Sequence, residues 1–179
     1  MTVSINILRL ALGTALLLLI PLVAMQFTTK VNWTPADFLV AGLLLFGAGL
    51  AYVLVARLGS NGSYRLGVGV AVAAGLLLVW GNLAVGFIGN EDNPANLLYG
   101  AVLLVAAGGA LGARFRVPGM ARAMFGAALT QAAVPLVAAA IWRPEMNLGM
   151  LYVVALNTVF AAIWAVSGWL FRRAGRSAQ

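Results

Sequence analysis

Few residues in this chain could do chemistry, and the acids come first. Asp37, Glu91, Asp92 and Glu145 are its only carboxylates, and Asn90 and Asn93 flank two of them. Oxygen ligands of this kind suit a hard cation, but the alternate-position carboxylates of a calcium loop are missing. A second reading needs no ligand. Thr34 and Asn93 are good N-caps, each followed by proline at the first helical position (Pro35, Pro94). All four acids lie near expected helix starts, where the helix dipole favours negative charge. Capping therefore accounts for every carboxylate, and the cation cup is the competing arrangement.

The amides come second. Asn82, Gln131 and Asn157 interrupt apolar runs. At ~1.5 Å per residue, Gln131 lies about 16 Å below Trp142 and Asn157 about 15 Å below Asn147, near the middle of a bilayer on adjacent antiparallel helices. An amide pair there holds two helices together by roughly 0.6 to 2 kcal/mol. The alternative is a polar vestibule with Asn82, Asn96, Gln131 and Asn157 on its wall and Asp37, Glu91 and Asp92 at its mouth. No ionisable group accompanies the amides, so a proton relay is not expected.

What is missing narrows the field further. There is no cysteine and no histidine, which removes the usual ligands of haem, iron–sulfur clusters and zinc, and the usual thiol or imidazole catalysts. With its carboxylates confined to helix rims, the chain is expected not to be an enzyme and to need no cofactor or metal.

The elements that must position these groups follow from composition. Of the 179 residues, 63% are hydrophobic and 8% charged, with a mean hydropathy of +1.01, which places the chain among integral membrane proteins. A spanning helix needs roughly 20 mostly apolar residues. Six segments qualify: 5–27, 36–56, 66–88, 95–113, 121–141 and 148–171. The expected fold is an all-α, six-transmembrane-helix bundle forming one integral-membrane domain over 1–179, with no room for a soluble module. Arg9 and Ala24 give the first run some likeness to a signal peptide, but Leu22 suits a cleavage site poorly, and the run is read as a retained helix.

The net charge of +7 and pI near 11.2 would suggest nucleic acid in a soluble protein. Here the bases sit at helix ends instead of on one face, so no nucleic-acid partner is expected. Nine of the eleven basic residues (Arg9, Arg57, Arg65, Arg114, Arg116, Arg122, Arg172, Arg173, Arg176) fall on one side of the ladder, with Lys30 and Arg143 on the other. By the positive-inside rule both termini are cytoplasmic. Arg9, Arg65 and Arg122 open outward-going helices, from which a long side chain can snorkel to the headgroups.

Each of those arginines is followed four residues later by glycine (Gly13, Gly69, Gly126), which suggests three hairpin repeats of about 57 residues. Pro21-Leu22-Val23-Ala24 also returns as Pro135-Leu136-Val137-Ala138. Glycines gather in the second helix (Gly42, Gly47, Gly49) and the fourth (Gly108, Gly109, Gly112), with Gly108 and Gly112 at small-xxx-small spacing. Helices two and four are therefore expected to be central, crossing another helix of the chain or a second protomer. Trp33, Trp142 and Trp169 suit interfacial belts, whereas Trp80 and Trp164 lie deeper and are read as packed aromatics, Trp80 with a ligand-stacking alternative.

The stretch Trp80-Gly81-Asn82-Leu83-Ala84-Val85-Gly86-Phe87-Ile88-Gly89-Asn90-Glu91-Asp92-Asn93-Pro94-Ala95-Asn96-Leu97-Leu98-Tyr99, followed by Ala113-Arg114-Phe115-Arg116 and Gly119-Met120-Ala121-Arg122-Ala123, resembles an uncharacterised family of small bacterial inner-membrane proteins. The resemblance covers helices three to five. It implies a bacterial inner-membrane location and brings no activity. Two functions are carried forward: an assembly or accessory subunit that binds a membrane protein or a second copy through Gly-rich helices, and a small-solute binder or transporter with a polar vestibule. Membrane lipids are expected partners of either.

Overall fold

The computed structural model describes residues 3–59, 61–142 and 148–176. Every described element is helical: α1 (Val3–Phe27), α2 (Pro35–Ala56), α3 (Gly62–Ala84), α4 (Leu98–Gly112, entered through a 3-10 turn at Pro94–Leu97), α5 (Val117–Trp142) and α6 (Leu148–Arg176). Six helical segments are long and apolar enough to cross a membrane, one for each segment read from hydropathy.

The boundaries differ from expectation where capping and turn residues outweigh hydropathy. α3 starts at Gly62 instead of 66, because Asn61 caps it with its side-chain oxygen on the Tyr64 N–H at 2.9 Å. It stops at Ala84, four residues short of Ile88, because Gly86 (φ +63°) and Gly89 (φ +74°) take left-handed conformations. α5 begins at Val117 instead of 121, with Pro118 in the first turn, where its missing N–H costs nothing. α6 runs on from the expected end at 171 to Arg176, placing Arg173 and Arg176 in its last turn, where positive charge is favoured.

The chain divides into two compact units, Met1–Leu54 and Val55–Gln179. In the first, Thr34 and Asp37 form a reciprocal cap at the start of α2. Asp37 accepts from the Thr34 N–H (2.7 Å) and hydroxyl (2.8 Å), and the Thr34 hydroxyl oxygen accepts from the Asp37 N–H (3.3 Å). Trp33 packs edge-on against Phe38 at 5.2 Å between centroids, stapling the chain entry to the first turn. Along α1 and α2, Leu10 fills the space a side chain at Gly49 would need, and Leu18 lies 3.4 Å from the Cβ position of Gly42, an antiparallel match.

In the second unit α6 packs on both α3 and α5, and α5 packs on α4. Apart from Gly168, the buried residues of α6 are Asn157, Phe160, Trp164, Ser167, Phe171 and Ala174, at alternating intervals of three and four. That interval keeps one stripe facing its neighbours. α5 shows the same interval at Met120, Met124, Ala127, Gln131, Val134 and Ala138, and its alanines let α4 and α6 come close. α3 packs chiefly on α6 instead of its successor α4. Of the two expected hairpins in this unit, α5–α6 is therefore a closely packed pair and α3–α4 is not.

Within the second unit, the expectation that glycine content marks the central helix is corrected. α5 has ten buried residues, whereas the glycine-rich α4 has four. On α4 the close approach is made by Gly109, whose Cβ position lies 2.7 Å from the Ala123 Cβ, while Gly108 and Gly112 have nothing within 4 Å among the described residues. Each residue turns the helix by about 100°, so Gly109 shares the face of Ala106 and Ala110 and its glycine neighbours do not. Gly109→Leu should therefore destabilise by about 1 to 3 kcal/mol through overpacking. Gly112→Leu should change stability by less than about 0.5 kcal/mol in a thermal melt.

Candidate functional site

Three of the deeply buried polar side chains form one layer across three helices. Asn157 on α6 accepts from Gln131 Nε2 on α5 at 2.9 Å, and its own Nδ2 donates to the Tyr99 hydroxyl on α4 at 2.9 Å. The same Nδ2 donates to the Val153 carbonyl one turn earlier at 2.8 Å. Gln131, Asn157 and Tyr99 are all buried, at 0%, 1% and 2% exposure. The Gln131–Asn157 meeting expected from counted depths is present. Tyr99, the third member, was not anticipated, because it stands near the start of α4 and not at its midpoint. Its depth follows from the shortness of α4, 15 residues against 26 in α5 and 29 in α6.

Phe87 closes this layer from the loop between α3 and α4. Its ring packs edge-on against Tyr99 at 5.4 Å and at a tilt against Phe160 at 5.5 Å. It lies where a side chain at Gly81 would collide with it. Asn96 holds the loop in this position. Its Oδ1 accepts from the N–H groups of Phe87 (3.1 Å) and Ile88 (2.9 Å), and its Nδ2 donates to the carbonyls of Ile88 (3.3 Å) and Asn90 (2.6 Å). A helix drawn through to Ile88 hides Phe87, and the paired glycines on either side were the available sign of the turn.

The remaining predicted site residues are dispersed. Asn82 donates within its own helix to the Leu78 carbonyl at 2.8 Å. Its Oδ1, like Gln131 Oε1 and Trp164 Nε1, is buried with no hydrogen-bond partner among the described residues. Asp37 is engaged in the Thr34 cap, in the other unit. Glu91 and Asp92 are exposed in the turn ahead of Asn93, which caps the 3-10 turn through the Ala95 N–H at 2.9 Å. Arg143 and Glu145 lie outside the described residues. Among the described residues no three His, Cys, Asp or Glu side chains gather as a metal site would require.

A cleft of about 730 Å³ opens at this end of the second unit, with Phe87, Asn93, Trp142, Met150, Tyr152 and Leu156 in its wall. Its lining is mostly apolar, and none of Asn82, Asn96, Gln131 or Asn157 belongs to it. The amides thus secure helices and a loop, and the cleft is built from other residues. No protein-family model, curated protein or solved structure matches the chain.

Replacing Asn157 by Leu strands Gln131 and Tyr99 in an apolar interior. It should cost about 1 to 3 kcal/mol in a thermal or denaturant melt. Adding Gln131→Leu should recover part of that loss, since removing both partners leaves fewer orphaned groups than removing one. A double variant that loses the sum of the two single effects would refute the pairing.

Proposed function

We propose that this chain is a non-catalytic subunit of the bacterial inner membrane, with both termini in the cytoplasm, that joins a membrane protein partner through the glycine face of α4. The observation that carries this reading is the open space around Gly100, Gly108 and Gly112, set at intervals of eight and four residues along one helix face. Leu104 and Leu111 flank them, exposed. Without a hydrophobic drive between helices in lipid, association depends on close backbone packing, and a ridge of small residues permits it. The interior argues the same way. Its Gln131–Asn157–Tyr99 layer is hydrogen-bonded within the protein, and Phe87 occupies the space above it.

The small-solute alternative draws on the apolar cleft beside Trp142 and Tyr152, whose lining suits an amphipathic molecule better than an ion. Native mass spectrometry from gentle detergent separates the two. The assembly reading expects a second polypeptide, or a second copy, to be retained by the wild-type chain and lost from Gly108→Leu/Gly112→Leu at unchanged melting temperature. Retention by that variant, or a bound small molecule in place of a protein partner, would overturn it. For orientation, the absence of native cysteine makes an introduced thiol unique. Asn90→Cys should react with an impermeant maleimide in intact spheroplasts, and Ser177→Cys only after permeabilisation.

A further inference from the structure

At the opposite end of the second unit lies another pocket, of about 510 Å³, between the α4–α5 turn, the entry to α3 and the end of α6. Arg114 and Arg116 stand in its lining beside an apolar wall of Leu58, Tyr64, Phe115 and Val117. We propose that this pocket holds the phosphodiester headgroup of an anionic phospholipid, with the two guanidinium groups on the phosphate and the apolar wall against the glycerol and first acyl carbons.

Three observations meet here. The first is unbalanced charge. Arg57, Arg65, Arg172, Arg173 and Arg176 adjoin the same end, whereas Glu91 and Asp92, the acids described in this unit, stand in the loop between α3 and α4 at its other end. An anion is the missing complement, and at a membrane surface phospholipid headgroups supply it.

The second is the state of the two arginines. Three other arginines at this end are engaged: Arg172 lies over the Phe125 ring at 4.3 Å, Arg173 over Trp169 at 5.7 Å, and Arg122 Nε donates to the Pro118 carbonyl at 3.4 Å. Among the described residues the guanidinium groups of Arg114 and Arg116 have no partner, and both side chains are exposed. Planar guanidinium forks match phosphate oxygens in paired hydrogen bonds.

The third is the turn that carries them. Arg114 (φ +49°) and Phe115 (φ +57°) are consecutive non-glycine residues in the left-handed region, a conformation that glycine would adopt without cost. The turn is held there from several sides. The N–H groups of Arg114 and Phe115 donate to the carbonyls of Leu111 (2.8 Å) and Ala110 (3.0 Å), and the Tyr64 hydroxyl donates to the Phe115 carbonyl at 2.9 Å. Asn61 adds a clamp across the pocket, its Nδ2 donating to the Ala174 carbonyl at 2.9 Å. The first two of these bonds are the Schellman pattern that ends α4, and the turn they hold, braced by Tyr64, fixes Arg114 and Arg116 in the lining of the pocket.

The test compares the purified full-length chain in nanodiscs of phosphatidylcholine with nanodiscs containing added phosphatidylglycerol. Bound lipid is read by native mass spectrometry and stability by thermal melt. Phosphatidylglycerol should be retained and raise the melting temperature. Arg114→Asn/Arg116→Gln should weaken retention by about tenfold per charge removed, because each charge-assisted contact is worth about that much. Asparagine tolerates the left-handed turn, and Arg114→Gly, which relaxes it, should melt no lower than wild type in phosphatidylcholine yet still lose the phosphatidylglycerol effect.

Arg65→Gln removes an equal charge from the same end without lining the pocket, and should change retention by less than about twofold. An equal loss in Arg65→Gln would replace the pocket with diffuse surface attraction. Equal retention of the two lipids would overturn the proposal. Displacement of phosphatidylglycerol by millimolar inorganic pyrophosphate would overturn the lipid assignment in favour of a soluble phosphorylated solute.

Discussion

The two hydrogen bonds that tie Asn157 to Gln131 and Tyr99 set the register for everything below them. Lipid offers no water to take over a broken amide contact, so α4, α5 and α6 are held at one relative height and rotation. With Asn157 turned inward, the intervals of three and four along α6 bring Phe160, Trp164, Ser167, Phe171 and Ala174 inward as well. Ser167 then reaches the Gly67 carbonyl at 2.8 Å, and Phe171 packs edge-on against Tyr64 at 5.2 Å between centroids. Tyr64 in turn supports the α4–α5 turn through Phe115. A polar contact near the middle of the unit is thereby connected to the arginine-bearing turn at its end.

One residue type does three jobs in this protein, according to where the backbone leaves unpaired groups. Asn61 and Asn93 cap helix starts, Asn96 ties a loop through four hydrogen bonds, and Asn157 bridges helices. Each use satisfies groups that could not be left bare in an apolar setting. Polar side chains in such a chain are therefore weak signs of a ligand until their own valences have been counted. Counted this way, Asn96 is saturated, while Gln131 and Asn82 each keep one buried oxygen without a partner.

The helices were legible because bilayer thickness demands a length that hydropathy measures directly, and the Gln131–Asn157 contact was legible because depth on two antiparallel helices can be counted. The cap at Thr34 and Asp37 is likewise local, joining residues three positions apart. What escaped is what depends on rotation and on loop path. Gly108, Gly109 and Gly112 look alike in sequence, yet only Gly109 meets a neighbour, since the facing surface is chosen by Tyr99, Val102 and Ala106. Phe87 was read as one more apolar residue of a spanning helix, and only the turn at Gly86 sends it inward. The acidic residues were expected either as caps or as a cup. Asp37 is a cap, and the other described acids lie exposed in a turn.

The pairing of α3 with α6 bears on how the protein is made. Asn61 bonds to Ala174 across 113 positions, and Ser167 bonds to Gly67 across 100. When α3 leaves the ribosome, the helix it must pack against has not been synthesised, and two further crossings are inserted first. Closing contacts so distant along the chain is slow, and an early helix without its partner is open to mispairing. α3 must therefore wait in the lipid or against an insertion factor, and assembly of this unit is finished only after synthesis has passed Ala174.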